Sequence, residues 1–167
     1  MTPKEVDKLL KEYRTHLGRC KHLEVLIPVL EAEIERMKKN LVEETVSLKG
    51  ALPDGIPHVT SLSNPTQALG ILIASGFQPE HLVARESELK AAREEYSVKL
   101  LCINFVNAWL QGLSSRERWV IEKHVIDSLT WNEVIIEYEY TFRESRTKRS
   151  LQITKKLAMK KIYDYAL

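Results

Sequence analysis

Leu113-Ser-Ser-Arg-Glu-Arg-Trp-Val-Ile-Glu-Lys-His-Val-Ile-Asp-Ser-Leu-Thr-Trp-Asn-Glu-Val134 writes two helix starts close together. Ser114 with Glu117 has the Ser-x-x-Glu spacing of a capping box, and Thr130 with Glu133 repeats it. Such a box pairs backbone N–H groups that a helix start leaves open. Asp127-Ser-Leu129 between them suits a tight helix–helix connection. The first helix is expected from Ser115 to about Ile126, presenting Trp119 or Val120, Ile121, His124 and Val125. The second is expected from Trp131 to about Glu139, presenting Val134, Ile135 and Tyr138.

Downstream the charge changes. From Arg143 to Lys161 the bases are Arg143, Arg146, Lys148, Arg149, Lys155, Lys156, Lys160 and Lys161, against one acid, Glu144. Leu151, Thr154, Ala158, Ile162 and Tyr165 recur at helical steps, so this basic run is a third helix with one packing stripe. Its start is open: Ser145 or Thr147 is the cap, after a long turn from Tyr140 to Arg146. Two short capped helices followed by a basic one is the order of a helix-turn-helix. Arg149, Gln152 and Lys148 near its start suit base edges. Lys155, Lys156 and Lys160 suit phosphates, which position a protein on DNA. Arg143, Arg146 and Thr147 complete the candidate DNA-binding set.

Upstream, Thr2-Pro-Lys-Glu5 opens a long helix with the stripe Val6, Leu10, Tyr13, Leu17, Cys20, Leu23, Ile27, Leu30, Ile34, Met37, Leu41. The mean spacing is that of a coiled coil. Pro28 interrupts it, removing one ladder bond and crowding the carbonyl of Glu24. The reading is one kinked arm or a hairpin of two helices near Pro28. Residues 49–65, with Gly50, Pro53, Asp54, Gly55, Pro57, Ser61, Ser63, Asn64 and Pro65, read as an irregular linker. A short apolar helix follows from Thr66 to Ser75. Pro79 opens a long connecting helix to about Leu110 with the stripe Leu82, Leu89, Ala92, Tyr96, Leu100, Ile103, Val106, Leu110. Its charge-free end is expected to enter the C-terminal core. The fold class is therefore all-α, divided as an N-terminal arm (1–48), a linker (49–65), a short buried helix plus connecting helix (66–111) and a helix-turn-helix domain (112–167).

The totals exclude several classes. The chain has 167 residues, 29% charged, with net charge +2, so the positive excess is local to the last helix. Cys20 and Cys102 fall on apolar stripes, as reduced thiols of a cytoplasmic protein do. No apolar run approaches the length of a membrane span. His16, His22, His58, His81 and His124 show no metal-ligand spacing, and no phosphate loop, nucleophile elbow or catalytic carboxylate pair is written. Neither a metal, a cofactor nor an enzymatic activity is expected.

Leu113-Ser-Ser-Arg-Glu-Arg-Trp-Val-Ile, Leu129-Thr-Trp-Asn-Glu-Val and Lys155-Lys-Leu-Ala-Met-Lys-Lys-Ile162 resemble region 4 of sigma-70-type factors. The chain is similar, more closely, to phage late-transcription regulators of the ArpU and RinA type. Gly55-Ile-Pro and Leu62-Ser-Asn-Pro-Thr66 fit that group's layout. The resemblance implies a DNA-binding regulator, an activator of phage or prophage genes. The group has a glycine in a short turn before its recognition helix, where this chain reads Glu139-Tyr-Thr-Phe-Arg-Glu-Ser-Arg146. The expected partners are double-stranded DNA, a second copy (a dimer) through the N-terminal and central helices, and RNA polymerase. The alternatives are a DNA-recognition subunit of a phage packaging complex and a protein-binding helical module.

Overall fold

A computed structural model of the protein describes residues 1–50 and 79–166, and for residues 42–50 the backbone alone. The sequence-based linker beyond Gly50 and the short helix from Thr66 to Ser75 lie outside the described residues. Five helices make up the described chain: α1 (Pro3–Gly50), α2 (Glu80–Gln111), α3 (Ser115–Ile121), α4 (Trp131–Phe142) and α5 (Lys148–Ala166). There is no strand among the described residues, and the protein is all-α.

α1 is a single helix with Pro28 inside it, so the hairpin alternative does not hold. A proline deletes one ladder bond, and the apolar stripe on both sides of it keeps the helix going. Leu23, Leu30 and Ile34 are buried beyond or around the proline, whereas Pro28 itself is exposed. The helix begins as read, with Thr2 Oγ1 accepting from the Glu5 N–H at 3.4 Å and Glu5 Oε2 from the Thr2 N–H at 2.7 Å.

The described chain divides into two compact units, Met1–His22 with Glu95–Leu167, and Leu23–Glu94. This division cuts across the four segments expected from sequence: each long helix contributes to both units. In the second unit α1 and α2 run antiparallel, because Glu31 pairs with Arg93 (2.6 Å) while Lys38 pairs with Glu86 (2.9 Å). Leu23, Leu30, Ile34, Leu82 and Ala92 are buried there.

The first unit holds the C-terminal helices. Its larger core joins Val6 and Leu10 of α1, Val106, Trp109 and Leu110 of α2, Ile121 of α3 and Ala158, Met159 and Ile162 of α5. Each buried Val, Leu, Ile or Met side chain among them contributes about 1.5–3 kcal/mol on leaving water. The first turns of α1 thus belong to the same unit as the C-terminal helices. Tyr163 donates to Asp7 Oδ1 at 2.8 Å, and burial, with this bond, pushes its hydroxyl up to about 12. α2 ends at Gly112, where an added Cβ would lie 2.5 Å from the Tyr165 ring, whose hydroxyl donates to the Gly112 carbonyl. The end of α2 enters this core on one face only. Its other face leaves Val98, Leu101 and Phe105 exposed, which differs from the enclosed end expected from composition.

Candidate nucleic-acid interface

Both capping boxes form. Ser114 and Thr130 each accept from the N–H three residues on, and Glu117 and Glu133 each accept from the cap's own N–H. α3 runs on through one π-helical turn, Glu122–Ile126, and the Asp127 N–H reaches the Glu122 carbonyl at 2.8 Å. Leu129 N–H bonds the Lys123 carbonyl at 3.0 Å, and Ser128 takes φ 58°. These bonds cover carbonyls that the helix end would leave unpaired.

α4 extends to Phe142, past the Glu139 end expected from sequence. The cause is aromatic. Trp119 of α3 meets Tyr138 edge-on at 5.4 Å and Phe142 at 5.7 Å, and Tyr138 and Phe142 lie 4.6 Å apart one turn along α4. Such pairs add to the burial of their rings and favour one more turn of helix. The long turn therefore shrinks to Arg143–Thr147. Arg143 stands at φ 54°, the conformation glycine usually supplies at a helix end.

Thr147, not Ser145, caps α5. Its Oγ1 accepts from the Ser150 N–H at 3.3 Å and its carbonyl from Leu151 at 3.1 Å. Leu151 then enters a second core with Val120, Val134 and Tyr138, against which Trp119 and Trp131 pack. An ion triad braces the turn: Glu144 receives Arg146 at 2.6 Å and Arg116 of α3 at 2.9 Å.

The buried stripe of α5 is Leu151, Ala158, Met159 and Ile162. Tyr165, assigned to that stripe from sequence, is exposed. Along one flank of that stripe Lys148, Arg149, Gln152, Lys156 and Lys160 are exposed, and no acidic residue occurs between Lys148 and Tyr163. These five share a continuous face. The other four candidates differ. Arg143 is exposed on the turn and lies over the Tyr140 ring at 5.7 Å. Arg146 is half-buried and held by Glu144. Thr147 is committed to its cap. Lys155 is half-buried with its ammonium 5.9 Å from the Trp131 ring, which in turn lies 3.9 Å from the His124 ring. Lys161 is held by Glu117 at 2.8 Å, and that bond raises its pKa.

Sequence reading missed Ile153 and Leu157, exposed on the same face as the free bases. Their signal is positional: each is apolar yet falls outside the Leu151–Ala158–Ile162 stripe.

Among the described residues no cluster of His, Cys, Asp and Glu is able to hold a metal ion, and no helix is long and apolar enough to cross a membrane. Neither Cys20 nor Cys102 forms a disulfide among the described residues. No protein-family model matches the chain, and neither a curated protein nor a solved structure matches it.

Proposed function

We propose that the protein is a sequence-specific double-stranded DNA-binding transcription regulator whose recognition helix is α5. The observation that carries this reading is the acid-free face of Lys148, Arg149, Gln152, Lys156 and Lys160, exposed at the end of a capped helix-turn-helix. The guanidinium and amide side chains near the start of the helix suit base edges, and the lysines further along suit phosphates. The resemblance to sigma region 4 and to phage late regulators supports activation of phage or prophage genes, with RNA polymerase as a partner. A second copy is part of the proposal. Val98, Leu101, Phe105 and Ala108 of α2 are exposed at coiled-coil steps, and no charged residue occurs between Leu100 and Leu113. Interface centres are depleted of charge in this way.

The test is binding of the full chain to a random-sequence duplex across a salt series. Lys156→Ala is expected to reduce the log–log salt slope by about one. Retention of no duplex at low salt would refute the reading. Leu101→Glu is expected to shift the protein to monomer in native mass spectrometry, and an unchanged mass would remove α2 from the interface.

A further inference from the structure

An apolar pair borders the basic face of α5. Ile153 and Leu157 are 54% and 53% exposed. Residues four apart on a helix are neighbours on its surface, so the two branched chains lie side by side. Arg149, Gln152, Lys156 and Lys160 lie along one side of them, all exposed. The pair belongs to neither core, since Leu151 and Ala158 face the other way, buried to 1% and 0% exposure. Two aliphatic side chains in water, beside a row of cations, fit a polyanion that presents an apolar surface next to its charges. The major groove of duplex DNA has that form. Phosphates line its edges, and each thymine places a C5-methyl group within it.

We infer that Ile153 and Leu157 are specificity-determining residues that read thymine methyl groups, so that the target carries thymines opposite the middle of α5. This rests on the DNA-binding reading above. Neither side chain has a hydrogen-bonding group, so the discrimination comes from burial alone. It separates thymine from a base that lacks the methyl. Gln152, the residue before Ile153, is exposed on the basic side of the helix, and an amide of this kind is the bidentate partner of adenine N6 and N7. An A·T step offers that adenine edge and a methyl in one groove, so Gln152 with Ile153 is a matched reader of it. An acidic protein with an apolar centre is the competing partner for the same surface.

The test uses the full chain and a pool of random-sequence duplexes. The tightest duplex is selected and then resynthesised with deoxyuridine for thymidine, which removes the methyl groups and leaves the pairing intact. The wild-type protein is expected to bind the uracil duplex more weakly, by about fourfold for each methyl that loses its burial. The salt slope is expected to stay the same, because a methyl contact releases no counterion. The Ile153→Ser/Leu157→Ser double variant alters only exposed positions, and it is expected to bind the two duplexes equally. Equal binding of both duplexes by the wild type would overturn the inference, leave DNA binding standing and give the apolar pair to a protein partner. A methyl preference undiminished in the double variant would also overturn it, since other side chains would then be the readers. If neither duplex is retained at low salt, the inference falls together with the DNA-binding reading.

Discussion

Between α3 and α4 the chain reverses through Asp127–Thr130, and between α4 and α5 through Arg143–Thr147. Each turn places a non-glycine residue in the left-handed region, Ser128 at φ 58° and Arg143 at φ 54°. The two turns close in different ways. The first closes mainly on its own neighbours: Thr130 and Glu133 exchange bonds within one turn of helix. Its contact with a distant residue is an ion pair of Asp127 with Arg14 of α1 at 2.7 Å, of the largely exposed kind that adds little. The second closes on residues distant in sequence. Glu144 is held by Arg116 of α3, and Leu151 seats the new helix against Val120, Val134 and Tyr138. The first turn rests mainly on local chemistry and the second mainly on a buried tertiary core, so they should fail differently.

The largest expected effect is in the second. Leu151→Ala empties a site of 1% exposure, and such truncations cost about 2–5 kcal/mol through lost burial and a residual cavity. Urea unfolding of the variant is expected to show a loss in that range, with weaker DNA binding because the start of α5 is no longer seated. A loss well below about 1 kcal/mol would mean that the second turn does not depend on that core. A smaller effect, of opposite sign, is expected at the two left-handed positions. Ser128→Gly and Arg143→Gly each relieve the steric cost of a side chain at positive φ, and each is expected to stabilise by roughly 0.5–1 kcal/mol. The gain at Arg143 is offset in part by the lost contact with the Tyr140 ring, worth about 0.5–1 kcal/mol at an exposed site. Arg143→Gly should therefore gain less than Ser128→Gly; a larger gain at Arg143 would show that the ring contact contributes nothing.

The same distinction explains what the sequence made legible. Helix class, the three capping boxes and the buried stripes of α1 and α5 follow from spacing between near neighbours, and Val6, Leu10, Leu151, Ala158 and Ile162 are buried as their period requires. The end of α4 was not legible, because Phe142 joins the helix by meeting Trp119 of another. The membership of Val6 and Leu10 in the core of the C-terminal helices was not legible either, since no local pattern states what a stripe packs against. Within the candidate site, charge located the helix and its face. It did not reveal which bases are engaged: Arg146 by Glu144, Lys161 by Glu117 and Lys155 over Trp131. The first is set by the path of the turn, and the other two by tertiary geometry.

The smallest effect expected separates the two capping glutamates by pH. The Thr130 hydroxyl and backbone N–H hold the Glu133 carboxyl below its ordinary value of 4.5. Burial pushes the Glu117 carboxyl up, but bonds from Lys161 and Ser114 outweigh it and the carboxyl is lowered as well. A carboxyl lowered in the folded state stabilises fully above its unfolded value, and that stabilisation is lost as pH falls through the folded value. Stability of the wild type in urea is therefore expected to decline as pH drops below about 4.5. Glu133→Gln keeps an amide able to complete the box but cannot titrate. It is expected to lower stability slightly at neutral pH, where the charged carboxyl contributes, and to make the acid decline shallower. Glu117→Gln also breaks the bond to Lys161 of α5, so it is expected to lower stability at neutral pH more than Glu133→Gln does. Equal losses at neutral pH would show that the Lys161 contact contributes nothing, and that α5 is seated by Leu151 and its core alone.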